Sequence, residues 1–188
     1  MDDLSAPTGR EPELAAVPRP DGTPPVAVVF GGTGYIGGRL VPRLIAAGYR
    51  VRVVARDVSR VSAFAWGSAV EAIAGDVTDP LPVSRAVSGA DLVYYLVHSM
   101  SAGKGFEEAD RRAAETVAHA AAEASVGRLV YLGGLHPDRD VLSPHLRSRV
   151  EVGEVFLRSG VPTLVLQAGV VIGSGSVSYT HLTLPTKA

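Results

Sequence analysis

An α/β fold, with a parallel sheet of about six strands and helices on both of its faces, is what this 188-residue sequence predicts. Three observations carry that reading. Short runs of Val, Ile, Leu and Tyr alternate with segments of helical periodicity along most of the chain. The run at 26–30 is apolar at every position, as a strand buried on both faces requires. The same run passes through a glycine-rich turn directly into a helical pattern, which opens a strand–helix–strand unit.

Residues 1–25 hold Pro7, Pro12, Pro18, Pro20, Pro24 and Pro25 among scattered charges, without periodicity, and predict a disordered leader. The run Val-Ala-Val-Val-Phe at 26–30 predicts the first strand. Gly31, Gly34 and Gly37 follow at the spacing G-x-x-G-x-x-G, and Ile36, Leu40, Val41, Leu44 and Ile45 recur at helical spacing until Gly48 supplies a stop. Pro42 lies inside that helix, where it removes a backbone donor, and predicts a kink or a shifted helix start. Residues 50–56 read as the second strand, 58–65 as a weak helix, 70–74 as the third strand and 82–88 as a short helix. The fourth strand is expected at 90–97, a long alanine-rich helix at 106–124, the fifth strand at 128–132, a helix at 144–159 and the sixth strand at 163–167. The domain is thus expected over 26–176, with its ligand at the carboxyl ends of the strands, where the strand order reverses.

The glycine turn points to a phosphate. A pyrophosphate needs close approach of backbone, so side chains must be absent, and the helix that follows offers N–H groups and a partial positive charge. The strand–turn–helix context is the one in which this glycine pattern signals a nucleotide.

Composition excludes several other classes. Charged residues are 20% and hydrophobic residues 46% of the chain, and the net charge of −1 makes no electrostatic case for nucleic acid or an anionic membrane. Cysteine is absent, which excludes disulfides and thiol chemistry and suits a cytoplasmic protein. No apolar run reaches the ~18 residues of a membrane span, and the N-terminus lacks the apolar core of a signal peptide. The histidines show no metal-ligand spacing.

With these motifs in register, the chain resembles the short-chain dehydrogenase/reductase superfamily, in an atypical branch near the extended and NmrA-like members. Phe-Gly-Gly-Thr-Gly-Tyr-Ile-Gly at 30–37 resembles the nucleotide loop, and Gly-Asp-Val at 75–77 the acidic turn that contacts adenine. Leu-Val-Tyr-Leu-Gly-Gly at 129–134 resembles the strand that usually ends in Ser-Ser, and 166–175 the segment near the nicotinamide. The motifs at 94–100, 133–135 and 142–149 are similar to a bacterial subgroup known mainly as NAD(P)H-binding. The resemblance implies a Rossmann-type fold. It implies cofactor contacts from Gly31, Thr33, Gly34, Tyr35, Ile36, Gly37, Arg56, Asp76, Val77, Leu96 and Val97. At the second strand's tip an NAD enzyme places a carboxylate. Here the strand ends Ala55-Arg56, with Asp57 one step on, which favours NADP over NAD if Arg56 meets a 2′-phosphate rather than solvent.

The catalytic pattern departs from the family. The Tyr-x-x-x-Lys slot holds His145 and Arg149, and Gly133 or Gly134 replaces the helper serine. An imidazole moves protons near neutral pH, whereas arginine cannot be deprotonated. His98, Ser99 and His136 fall at the same edge. His98, His145 and Arg149 are the catalytic candidates for a reductase of a small-molecule carbonyl or isomerisable substrate. The alternative is a non-catalytic dinucleotide-binding redox sensor or accessory subunit, of the kind found in NmrA-like sensors and respiratory complex I, with a protein partner. Glu107, Glu108, Asp110, Arg111 and Arg112 read as a solvated helix face. Residues 177–186, Val-Ser-Tyr-Thr-His-Leu-Thr-Leu-Pro-Thr, match a translated transposon-end sequencing adapter residue for residue. Residues 177–188 are therefore expected to be a non-native tail lacking tertiary contacts, on a chain truncated before its substrate-binding part.

Overall fold

The computed structural model describes residues 15–98, 105–136, 142–169 and 171. Six strands, β1 (Val26–Phe30), β2 (Arg50–Ala55), β3 (Glu71–Ala74), β4 (Leu92–Tyr95), β5 (Arg128–Gly134) and β6 (Thr163–Ala168), form one sheet in the order β3-β2-β1-β4-β5-β6. Every pairing is parallel. Among the described residues, five helices connect the strands: α1 (Gly37–Ala46), α2 (Ser59–Ser62), α3 (Pro80–Val87), α4 (Phe106–Glu123) and α5 (Pro144–Leu157). A 3-10 turn at Gly67–Ala69 precedes β3. The expected Rossmann-type α/β fold is the observed one.

The two faces of the sheet carry separate cores, and β1 explains why. All five of its residues are buried. Ala27 and Val29 pack with Val41 and Leu44 of α1 and Val61 of α2 on one face. Val26, Val28 and Phe30 pack with α3, α4 and α5 on the other. A strand covered on both sides has no polar alternation to show, so its sequence is a continuous apolar run. Strand order reverses between β1 and β4, whose carboxyl ends, Phe30 and Tyr95, are paired neighbours. The switch point is therefore flanked by the glycine turn after β1 and residues 96–98 after β4.

Boundaries follow the local chemistry. Asp79 and Ser143 cap α3 and α5 by accepting hydrogen bonds from Leu81 N–H and Leu146 N–H, each just ahead of a proline in the first turn. Of the two outcomes expected at Pro42, a shifted helix start is not seen: α1 runs Gly37–Ala46 with Pro42 inside it. The reason lies outside the helix: the Gly38 carbonyl, which a proline at 42 cannot serve, accepts Trp66 Nε1–H at 3.2 Å.

Part of the proline-rich leader is ordered. Ala16 N–H donates to Ala47 O at 2.7 Å. The Arg19 guanidinium pairs with Asp91 at 2.7 Å, and Asp91 Oδ2 also accepts Val26 N–H at 2.6 Å. Asp91 thus ties residues 15–25 to the amino edge of the sheet, a long-range link that composition does not reveal. Residues 177–188 lie outside the described residues. No helix among the described residues is long and apolar enough to cross a membrane.

Candidate functional site

Each glycine of the turn after β1 meets a different demand. Gly31 has φ +86°, and a Cβ there would press on the backbone of Leu96 at 3.1 Å. At Gly37 a Cβ would lie 2.3 Å from Gly31 O and 2.5 Å from Gly32 Cα, so α1 seats directly on the turn and only glycine fits. Gly34 is exposed, and the nearest atom to a Cβ there is Gly31 O at 3.3 Å. A side chain at 34 would project from the open face of the loop. Gly34 N–H donates to Gly31 O at 3.0 Å, and Gly38 N–H to Gly34 O at 2.8 Å. Helical bonding therefore begins at Gly34, and the N–H groups of this first turn have no intrahelical acceptors.

Thr33, Tyr35 and Ile36 complete the turn, with Ile36 at the helix start and without a side-chain cap. Arg39, one turn beyond Tyr35, places its guanidinium 3.7 Å from the Tyr35 ring centroid and donates to Tyr35 O at 3.1 Å. The sequence reading passed over this cation. Its signal was a basic residue two positions after the last loop glycine.

The tips of β2 and β3 set the charge on one side of the switch point. Arg56 is exposed just beyond Ala55. The neighbouring acid is engaged locally: Asp57 Oδ1 accepts Ser59 Oγ–H at 2.6 Å and Ser59 N–H at 2.9 Å. Those bonds hold its carboxyl below the usual carboxylate range. Asp76 makes the same turn, accepting Thr78 N–H at 2.9 Å and Oγ1–H at 2.7 Å. These bonds, the backbone one first, lower its pKa, with a smaller contribution from Arg56. Gly75 N–H donates to Ala55 O at 3.1 Å and joins the two tips. Val77 packs against the core on the α3 side.

On the other side, Leu96 N–H donates to Phe30 O at 3.0 Å. Leu96 belongs to the α1-side core and Val97 to the α3-side core, so the chain leaves β4 straddling the sheet. His98 follows, exposed at its rim. Its imidazole is held below the ordinary histidine range, chiefly by the protein atoms crowding it and then by the Arg149 guanidinium, while Asp110 and the Leu96 carbonyl pull the other way. Arg149 lies over the end of β5: a Cβ on Gly134 would come 3.1 Å from Arg149 Cδ and 3.3 Å from Nη1. Tyr131 O–H donates to Arg149 O at 3.1 Å. Glycine at 134 makes the room that Arg149 occupies.

The charge of Arg149 therefore acts at His98. His145 is drawn elsewhere: its ring stacks on Phe106 at the start of α4, with centroids 4.5 Å apart. His136 Nε2 lies 3.0 Å from Gln167 Nε2, at the tips of β5 and β6. Ser99 lies outside the described residues. Asp110 departs from the solvated face expected for it: it is 8% exposed and accepts Ser148 Oγ–H at 3.0 Å.

A family model described as NAD(P)H-binding matches residues 31–176, from the first loop glycine through β6. The chain belongs to this NAD(P)H-binding family. It carries an NAD(P)H-binding domain of Rossmann-type fold. A ceramide reductase from Caulobacter vibrioides is 28% identical over 160 residues, 84% of this chain and 50% of that protein. Among solved structures, a short-chain dehydrogenase/reductase superfamily protein from Agrobacterium tumefaciens with bound NAD superposes with a TM-score of 0.62 at 21% identity. The match covers 76% of this chain and 48% of that one. Triphenylmethane reductase from Citrobacter sp., complexed with NADP(H), gives a TM-score of 0.62 at 20% identity over 76% of this chain and 48% of the other. The NAD(P)H-binding chain thus spans about half the length of the proteins it resembles.

The turn suits the dinucleotide that the family binds. A bare exposed Gly34 and a helix start whose N–H groups lack intrahelical acceptors are what a pyrophosphate requires.

Proposed function

We propose that this chain is the cofactor half of an NADPH-dependent reductase that acts on a carbonyl substrate. The carrying observation is the glycine turn at the switch point, with its exposed Gly34 and uncapped helix start, and Arg149 over the end of β5. In this reading Gly31, Thr33, Gly34, Tyr35, Ile36 and Gly37 hold the pyrophosphate. Arg56 meets the 2′-phosphate, because the nearby carboxylate of Asp57 is already bound to Ser59. Asp76 and Val77 flank the adenine, while Leu96 and Val97 lie beneath the nicotinamide.

The bound dinucleotide supplies the hydride. His98 is neutral at pH 7, since its pKa is lowered, so its imidazole donates a hydrogen bond to the substrate oxygen. The Arg149 guanidinium stabilises the negative charge that develops on that oxygen. Solvent then supplies the proton that arginine cannot give up. The similarity to a ceramide reductase favours a ceramide-type lipid as substrate.

The stacking of His145 on Phe106 supports a second reading. The imidazole in the family's acid/base slot is held against α4, which suits a domain that senses the dinucleotide without turning it over. Steady-state NADPH oxidation by the full-length protein with a carbonyl panel including lipid ketones separates the two. Turnover that falls in Arg149→Ala and His98→Ala supports the reductase, and tight NADPH binding with no turnover on any carbonyl supports the sensor.

A further inference from the structure

Asp110 and Ser148 are the buried polar residues of the described core, 8% and 2% exposed, and they meet each other across α4 and α5. A carboxylate is costly to bury unless it is hydrogen-bonded and opposed by charge. Its surroundings are specific. Ser148 directly precedes Arg149, whose carbonyl is held from β5 by Tyr131 O–H at 3.1 Å. The Arg149 side chain passes over Gly134, with Leu146 beside it. The charges that face His98 come from two helices, Asp110 on α4 and Arg149 on α5, and they act on it in opposite senses.

We propose that Asp110 is a positioning residue for the polar end of the site: it anchors Ser148, thereby sets Arg149 over Gly134, and balances the guanidinium charge across His98. Two links hold α5 in register, Asp110 to Ser148 from α4 and Tyr131 to the Arg149 carbonyl from β5. The guanidinium therefore reaches the carboxyl edge from a fixed backbone. This inference rests on the assignment of His98 and Arg149 to the reacting edge.

The test is an NMR titration of the histidine ring in the full-length protein, with the His98 resonance identified by its loss in His98→Gln. Asp110→Asn keeps the shape and a hydrogen-bond acceptor for Ser148 but removes the charge. With its charge gone, Arg149 acts unopposed, and the His98 midpoint falls. Ser148→Ala keeps the charge but releases α5, so Arg149 withdraws and the midpoint rises. General loosening would thin the protein atoms that crowd the His98 ring and raise the midpoint in both variants. The opposite signs are therefore the signature of positioning. An unchanged or raised midpoint in Asp110→Asn overturns the proposal, as does a midpoint in Ser148→Ala that does not rise. If Asp110→Asn does not fold, the wild-type carboxyl-carbon resonance of Asp110 decides. An inflection at the His98 midpoint supports the coupling, and a curve without one overturns it. Opposite shifts in a protein that turns over no carbonyl would defeat the reductase reading and leave the positioning role standing.

Discussion

Trp66 donates its indole N–H to the carbonyl of Gly38 at 3.2 Å, the acceptor that Pro42 cannot serve four residues on. Phe64 stacks on Trp66 with ring centroids 4.5 Å apart, and a Cβ at Gly38 would meet that Phe64 ring at 2.9 Å. The segment between β2 and β3 thus repairs the first turns of α1. Trp66→Phe should cost about 1–2 kcal/mol, the loss expected when a partly buried carbonyl is left unpaired. Pro42→Ala restores a backbone donor, so Trp66→Phe should cost less in that background. A double-mutant cycle in denaturant measures the difference, expected at ~1 kcal/mol, and additive costs would show that Trp66 acts by packing alone.

The loop glycines should separate folding from binding. Gly34→Val projects from the open face, so NAD(P)H binding by fluorescence titration should be lost while the helical circular dichroism signal remains. Gly37→Ala puts a carbon 2.3 Å from Gly31 O, so it should lose both. Wild-type affinity in Gly34→Val would place the pyrophosphate elsewhere.

Arg56→Ala should weaken NADPH about tenfold or more and leave NADH nearly unchanged, because a charge-assisted bond to a 2′-phosphate is worth ~1.5–3 kcal/mol. The exposure of Arg56 puts the effect at the lower end of that range. Competition titrations with the two cofactors give the ratio. Equal weakening would mean that Arg56 meets only the shared part of the molecule.

His98 and the aspartates all have lowered pKa values, from different causes, and act on acid stability with the same sign. His98 has a folded pKa below its ordinary 6.5, so the unfolded chain takes up the proton first and stability falls as pH drops below about 6.5. Asp57, Asp76 and Asp91 have folded pKa values below 3.8, so their contribution is present above 3.8 and is lost as pH falls further. Burial raises the Asp91 carboxyl, but its bonds from Arg19 and Val26 N–H outweigh that. Melting temperatures across this range should therefore decline in two stages. His98→Gln should remove the upper stage and spare the lower, and an unchanged upper stage would mean that another group carries it.

Leu164 and Leu166 are each 46% exposed on β6, at the edge of the sheet. An apolar edge strand is a template for pairing with another chain. Leu164→Lys with Leu166→Lys should lower light scattering by this chain at equal concentration and temperature. Undiminished scattering would locate self-association elsewhere.

Residue types and their order determined the layered α/β architecture, because a parallel strand buried on both faces must be apolar throughout and cannot be mistaken for an alternating one. The same holds for the glycine turn: φ +86° at Gly31 and the contact at Gly37 are demands that only glycine meets, so their spacing is visible in one dimension. The tertiary structure alone decided what lies beneath and behind that turn. Asp110 reads as one charge of a solvated helix until α5 covers it and Ser148 binds it. Pro42 reads as a helix breaker until Trp66, 28 residues away, replaces its missing bond. Residues 15–25 read as a free leader until Asp91 grips Arg19. Each of these depends on a partner distant in sequence, and no local propensity encodes which side chain will arrive there.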